Sequence, residues 1–306
     1  MSIENFTQWK NWVDYKRNPL LVPEAPEWLV ADPTFIPPDD SPDGKFHLFA
    51  HGFLFGINHY ISRDGLKWIN TRWRVGKGMR GFLYMESDKY YLIYENNLGF
   101  SKSIISLRES SDLFHWSEPQ TLLVPDQPWE INWKGQRKIS NPCLVKYNGK
   151  YRLYYSANQI FLWDCLFSEP LYIAVAEAEK LQGPYKKFPR PIISPSKAHK
   201  FRNFAAGAIK IVRINDTWIG FNNGIYNHQH HTGSCILLLQ SDDGITWNDI
   251  FERPILYPTT GWKSAFVYQC DIRKVGDQFW LYYNARNGWA IGSEGIGLAK
   301  LKNTIS

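Results

Sequence analysis

Short runs in which apolar and polar residues alternate dominate the chain, and one aromatic form of that run recurs five times. The copies are Phe46-His47-Leu48-Phe49, Tyr90-Tyr91-Leu92-Ile93, Tyr151-Arg152-Leu153-Tyr154, Trp218-Ile219-Gly220-Phe221 and Phe279-Trp280-Leu281-Tyr282. Before most copies stands a turn signal: Asp43-Gly44, Asn148-Gly149, Asn215-Asp216 or Gly276-Asp277. Such dipeptides between β-rich runs read as hairpins. Each unit therefore begins with one strand, turns tightly, and returns along an aromatic strand.

Two further repeats follow the first. Ser62-x-Asp64-Gly65-x-x-Trp68, Ser110-x-Asp112-x-x-x-Trp116 and Ser241-x-Asp243-Gly244-x-x-Trp247 share one spacing. Units end on Leu122-Leu123-Val124-Pro125, Ile192-Ile193-Ser194-Pro195 and Ile255-Leu256-Tyr257-Pro258, and a displaced copy, Leu20-Leu21-Val22-Pro23, precedes the first unit. The fifth unit has room for only three strands, so the Pro19–Pro23 segment is expected to supply its outer strand and close a ring. The pattern predicts an all-β fold, a five-bladed β-propeller of four-stranded antiparallel blades. It forms one domain over residues 1–306, with about residues 1–26 closing the last blade. A β-sandwich is the competing arrangement, but it has no need of a displaced ending. The one helix candidate is Ile3–Lys16.

Composition narrows the function. The 306 residues carry 35 Lys and Arg against 29 Asp and Glu, and 16% of them are aromatic, which is incompatible with disorder. The basic residues are scattered rather than gathered on one stripe, which argues against a nucleic-acid partner. No apolar run approaches the ~20 residues of a membrane span. The N-terminal MSIENFTQWKNW lacks the apolar stretch of a signal peptide, so the expectation is a cytoplasmic protein with no membrane partner. Four dispersed cysteines form no Cys-x-x-Cys pair and predict neither zinc nor a disulfide framework. No phosphate-cradling glycine loop precedes a helix, and no cofactor is expected.

In a propeller the inner strands start, and the second strands end, at one mouth of the axial channel. Counting back from each hairpin places Asp32-Pro33, Arg80-Gly81, Asn141-Pro142, Ala206-Gly207 and Gln269-Cys270 at the starts. The matching second-strand ends are His51, Glu95, Ser156, Asn223 and Asn284. A ring of polar groups with aromatic residues nearby suits sugar hydroxyls and apolar sugar faces. Substrate-binding candidates are therefore His51, Arg80, Asn141, Asn223, Gln269 and Asn284.

Trp28-Leu29-Val30-Ala31-Asp32-Pro33, Asn141-Pro142, Gly183-Pro184-Tyr185 and the proline-terminated endings resemble glycoside hydrolase family 43 and its relatives in family 32. The resemblance runs through nearly the whole chain as a blade pattern. It implies a carbohydrate substrate, an oligo- or polysaccharide, and Asp32 as general base. The family's pKa-tuning aspartate in blade three is matched by Asn141, and its blade-four acid falls on Ala206-Gly207-Ala208. Ala206 cannot donate a proton, whereas hydrolysis by this route needs two carboxyl groups. Glu95 is the replacement acid within the chain, or else it forms a salt bridge with Arg80 or a nearby lysine. Two readings stay open: a hydrolase using Asp32 and Glu95, and an inactive propeller that binds a glycan through the same ring. Arg80, Arg137, Lys138, Lys200, Arg202 and Lys263 near the strand starts admit an anionic sugar, or are solvated rim charge. His228-x-His230-His231 is read as a loop at the pocket mouth, without the further ligands a metal requires.

Overall fold

A computed structural model of the chain describes residues 3–214, 216–228 and 231–302. The alternating runs fold as strands, and helix among the described residues is limited to 3₁₀ segments. β1 (Trp12–Asp14) comes first. β2 (Ala31–Ile36), β3 (Phe46–Gly52), β4 (Gly56–Ser62) and β5 (Ile69–Gly76) form a four-stranded antiparallel sheet. A second comprises β6 (Met79–Glu86), β7 (Lys89–Asn97), β8 (Ser103–Ser110) and β9 (Gln120–Leu123). The third contains β10 (Ile139–Tyr147), β11 (Lys150–Leu162), β12 (Phe167–Ala178) and β13 (Lys186–Lys187).

The remaining strands make one eight-stranded sheet. It joins an antiparallel group of β14 (Ala205–Ile214), β15 (Thr217–His228), β16 (His231–Ser241) and β17 (Asn248–Asp249) to β18 (Phe266–Val275), β19 (Gln278–Arg286) and β20 (Glu294–Leu301). A single parallel pair, Ser234 with Phe266, links the two groups, and β1 lies beside β20.

The first strands of the successive groups touch in order: β2 with β6, β6 with β10, β10 with β14, β14 with β18, and β18 with β2 again. Apolar clusters fill the spaces between neighbouring sheets. Phe35, Phe46, Leu48 and Tyr60 of the first sheet pack with Trp280, Tyr282 and Leu298 of the last. Each large side chain so buried contributes roughly 1.5–3 kcal/mol.

The Ser-x-Asp turns fix how the sheets meet. Ser62 Oγ donates to Asp64, whose Oδ1 accepts the backbone N–H groups of Leu66 and Lys67 at 2.8 and 2.9 Å. Ser110–Asp112 and Ser241–Asp243 repeat the arrangement. Gly65 sits at φ +69°, and a Cβ there would lie 2.7 Å from the Tyr282 hydroxyl. That hydroxyl donates to the Gly65 carbonyl at 2.6 Å, bolting the last sheet to the first. Tyr154 does the same to Gly244 at 2.9 Å, one sheet along.

The N-terminal segment departs from its expected form. Instead of a helix through Lys16, a 3₁₀ segment ends at Lys10 and Trp12–Asp14 is a strand. The outer strand beside β20 is thus β1, with Leu21 bridging Ile296 further along. Ile193 with Ile173 and Leu256 with Ile236 are the matching bridges elsewhere. The proline-terminated endings are therefore the second half of interrupted outer strands. Burial of Trp9 and Trp12 against Phe221 and Phe279 decides the outcome, and local sequence does not report it.

Candidate active site

Every inner strand carries a bulge at the same height. Register shifts fall between Ala31 and Thr34, Met79 and Phe82, Ser140 and Cys143, Ala205 and Ala208, and Val267 and Cys270. A bulge bends the strand and re-aims a side chain. Asp32, Arg80 and Asn141 take φ values of +50°, +53° and +50° at these bulges. Asp and Asn tolerate that left-handed region, whereas an arginine there is strained by about 1–3 kcal/mol. The strain turns three polar side chains from three sheets toward one axial cavity.

The cavity measures about 420 Å³, within the range of small-ligand sites. Asp32, His51, Arg80, Asn141, Asn223, Gln269 and Asn284 all line it. The Asp32 backbone N–H donates to Asn284 Oδ1 at 3.3 Å, and Asn284 Nδ2 donates to Glu294 at 3.0 Å. Asn223 Nδ2 donates to the Val267 carbonyl at 3.1 Å. Asn141 Nδ2 donates to Ser140 Oγ at 3.1 Å. Trp28 and Phe53 stand at the rim with ring centroids 4.6 Å apart. The Glu27 carboxylate holds the Phe53 turn by accepting three successive backbone N–H groups, from Phe53, Leu54 and Phe55.

Charge is concentrated around Asp32. Arg80 Nε lies 3.8 Å and His51 Nδ1 3.3 Å from Asp32 Oδ2. Burial opposes the Arg80 charge, but Glu95 and Asp32 more than offset it and raise its pKa. Burial holds His51 below the usual histidine range, despite Asp32 beside it. Two further carboxyls line the cavity, Glu169 from β12 and Glu294 from β20. Glu169 is pushed up to about 8, by burial first and then by Asp32, Glu294 and Glu95, with Arg80 opposing. Burial and Asp32 push Glu294 up to about 7, while Arg286 and Asn284 pull it down. Tyr268 Oη and Gln269 Nε2 are buried without a hydrogen-bond partner among the described residues, and both residues line the cavity.

Glu95 is the exception among the expected site residues. It is 1% exposed, accepts from Arg80 Nη1 at 2.7 Å, and is not part of the cavity wall. Arg80 stands between it and Asp32, so the Glu95 carboxylate does not reach the cavity. The bulge of the last sheet holds Tyr268-Gln269 rather than Gln269-Cys270, because Cys270 is already back in register with Tyr283. Several expected rim cations are committed elsewhere: Lys263 to Asp14, and Arg202 to Asp249 and Asn222. In the cavity wall Asp32, Glu169 and Glu294 outnumber Arg80 and Arg286.

His230 and the side chain of His228 lie outside the described residues; His231 packs on Trp289 at 4.5 Å. Among the described residues no group of three or more potential ligands is placed to hold a metal. Glu169, Glu294 and Tyr268 were not legible as site residues. Glu294 lies in a glycine-rich segment that reads as a turn, and Glu169 near the end of a hairpin whose length the repeat does not predict.

A family profile described as Glycosyl hydrolases family 43 matches residues 81–201. The chain is family 43-like. No curated protein matches the sequence. Among solved structures, the catalytic domain of the Coprinopsis cinerea family 62 α-L-arabinofuranosidase is 13% identical. Its TM-score is 0.71, over 96% of this chain and 98% of that one. The Podospora anserina α-L-arabinofuranosidase in complex with cellotriose scores 0.69 at 13% identity, over 96% and 97%. The β-1,2-mannobiose phosphorylase of Listeria innocua scores 0.65 at 14% identity, over 94% and 96%. The family 43-like chain shares the β-propeller fold of these proteins.

Proposed function

We propose that this protein is a glycoside hydrolase acting on an oligo- or polysaccharide, with Asp32 as general base. The five sheet groups are read as five blades of one domain, the two groups of the eight-stranded sheet being adjacent blades and β1 closing the last. The observation that carries the activity is the composition of one cavity. It sets Asp32, beside the Arg80 guanidinium, together with two carboxyls that hold protons near neutral pH. A carboxyl that keeps its proton, set in one cavity with a second carboxyl group, supplies the pair that acid–base glycoside hydrolysis needs.

The rest of the wall serves binding. Asn141, Asn223, Gln269 and Asn284 offer amides to sugar hydroxyls, His51 offers an imidazole, and Trp28 with Phe53 offers apolar ring faces at the rim. Carbohydrate ligands bound to similar structures, a trisaccharide and cellotriose, support this class of ligand.

Turnover of a broad panel of aryl and natural glycosides by wild type and Asp32→Asn tests the reading. The substitution keeps size and removes the base, so a loss of ~10²–10⁴-fold is expected. Full activity in Asp32→Asn would end it.

A further inference from the structure

The β11–β12 hairpin is built unlike its counterparts in the first two sheets. Its strands run 13 and 12 residues, against 7 and 7 in β3–β4 and 9 and 8 in β7–β8. The extra length, Gln159–Leu162 paired with Phe167–Pro170, carries the hairpin beyond the level of the bulges. Its tip is docked on other sheets. Leu162, Cys165 and Phe167 pack with Phe266, Tyr268 and Trp289 of the last group. Asp164 accepts the backbone N–H and the hydroxyl of Thr232 in β16 at 2.6 and 2.8 Å. The arm therefore lies across the cavity from the third sheet to the fourth and fifth groups.

This arm puts Ser168 and Glu169 in the cavity wall. Asp32 faces Arg80 and His51, Glu294 accepts from Asn284, and Glu95 accepts from Arg80. Glu169 alone of these carboxyls has no hydrogen bond or ion pair with the described residues. The buried Tyr268 hydroxyl and Gln269 amide, unpaired among the described residues, lie in the same wall as Glu169 and add a donor and acceptor set to it.

We infer that Glu169, delivered from blade three by the docked arm, is the proton donor of this site. The inference rests on the hydrolase reading above. Glu169 gives its proton to the glycosidic oxygen as the bond from that oxygen to the anomeric carbon breaks and the electron pair passes to oxygen. A water attacks the anomeric carbon and loses its proton to Asp32. Solvent returns the proton from Asp32 to Glu169. The groups around Glu169 are Asp32 on β2, Arg80 on β6, Glu95 on β7, Tyr268 on β18 and Glu294 on β20. Burial and the three carboxylates outweigh the one guanidinium, which keeps the donor protonated at neutral pH.

The test compares Glu169→Gln with wild type on a matched pair of substrates found by the panel, a 2,4-dinitrophenyl glycoside and the corresponding alkyl glycoside or disaccharide. A donor is needed only where the leaving group is poor. A loss of ~10²-fold or more is expected on the second substrate and under ~10-fold on the first. The fall in wild-type rate above pH ~8 should vanish in the variant. Glu169→Asp, which keeps the acid and withdraws it by one methylene, should retain the pH limb at a lower rate.

Equal losses on both substrates, or a pH limb that survives Glu169→Gln and disappears in Glu294→Gln, would overturn the assignment while leaving the hydrolase reading intact. Wild type silent on the whole panel would overturn both. Melting temperature reads the same proton without turnover. A carboxyl raised to about 8 in the fold costs stability as pH rises from 4.5 toward 8. Glu169→Gln should therefore melt higher than wild type at pH 8.5 and alike at pH 5. Indistinguishable melting at both pH values would also refute it.

Discussion

Arg80 Nη1 lies 2.7 Å from Glu95 Oε2, and the same guanidinium reaches toward Asp32 with its Nε at 3.8 Å. Glu95 thus acts on the site through Arg80: it holds the cation that faces Asp32. Arg80 accepts a left-handed backbone to stand there, and the ion pair is what keeps that strained residue in place.

Glu95→Gln keeps the shape and removes the charge. Because Arg80 retains a hydrogen-bond acceptor, folding should survive with a loss of ~1–3 kcal/mol. Turnover should fall through kcat more than KM, since the misplaced group is the Arg80 guanidinium that faces the proposed base, Asp32. Steady-state kinetics with urea unfolding checks both. A rise in KM alone would contradict the positioning role.

The buried Glu130–Lys187 pair predicts a larger stability effect. Glu130 is fully buried and accepts from Lys187 Nζ and the Tyr155 hydroxyl, each at 2.8 Å, and from the backbone N–H groups of Asp126 and Gln127. Lys187→Met leaves that carboxylate without its cation, which should cost ~3–5 kcal/mol in urea unfolding. The site lies on another part of the third sheet, so kcat at low temperature should be unchanged.

Acid should weaken the first sheet. His59 is buried, stacked on Phe49 at 4.5 Å, and its Nε2 lies 2.8 Å from His47 Nδ1. Burial lowers His59 to about 3 and also lowers His47. The unfolded chain takes up these protons near pH 6.5 and the folded one does not. Stability is therefore fully present above pH 6.5 and declines as pH falls toward 3. His59 contributes up to ~1.4 kcal/mol per pH unit, or ~2 kcal/mol by pH 5, and His47 acts in the same direction. Unfolding at pH 7 and pH 5 should show this drop, and the double variant His47→Phe, His59→Phe should lose most of it.

The N-terminal strand predicts a closure effect. Trp9 and Trp12 are 3% and 7% exposed, and both rings contact Phe221 at about 6 Å. Removing residues 1–15 strips β1 from β20 and exposes an unpaired strand edge. The truncated protein should melt far lower or aggregate, and Trp12→Ala alone should cost ~3–5 kcal/mol. Unchanged melting in both would show that β1 does not close the last sheet.

The sequence by itself determined the strand units and much of the ring of polar residues. Repeats are local: a turn dipeptide, an aromatic return strand and a Ser-x-Asp turn each carry their own geometry, so Asp43-Gly44 and Asp64-Gly65 could be read without neighbours. Counting from those turns reached Asp32, Arg80 and Asn141 because the sheets repeat one register. What the tertiary structure decided depends on contacts between distant segments. Glu95 and Arg80 are equally polar in sequence, and only their ion pair shows that one lines the cavity while the other stands behind it. Trp12 became a strand because β20 offered an unpaired edge and Phe221 a surface to cover. Glu169 reaches the cavity because Leu162 and Phe167 dock on Phe266 of the last sheet, about a hundred residues away in the chain, and a one-dimensional pattern carries no trace of that contact.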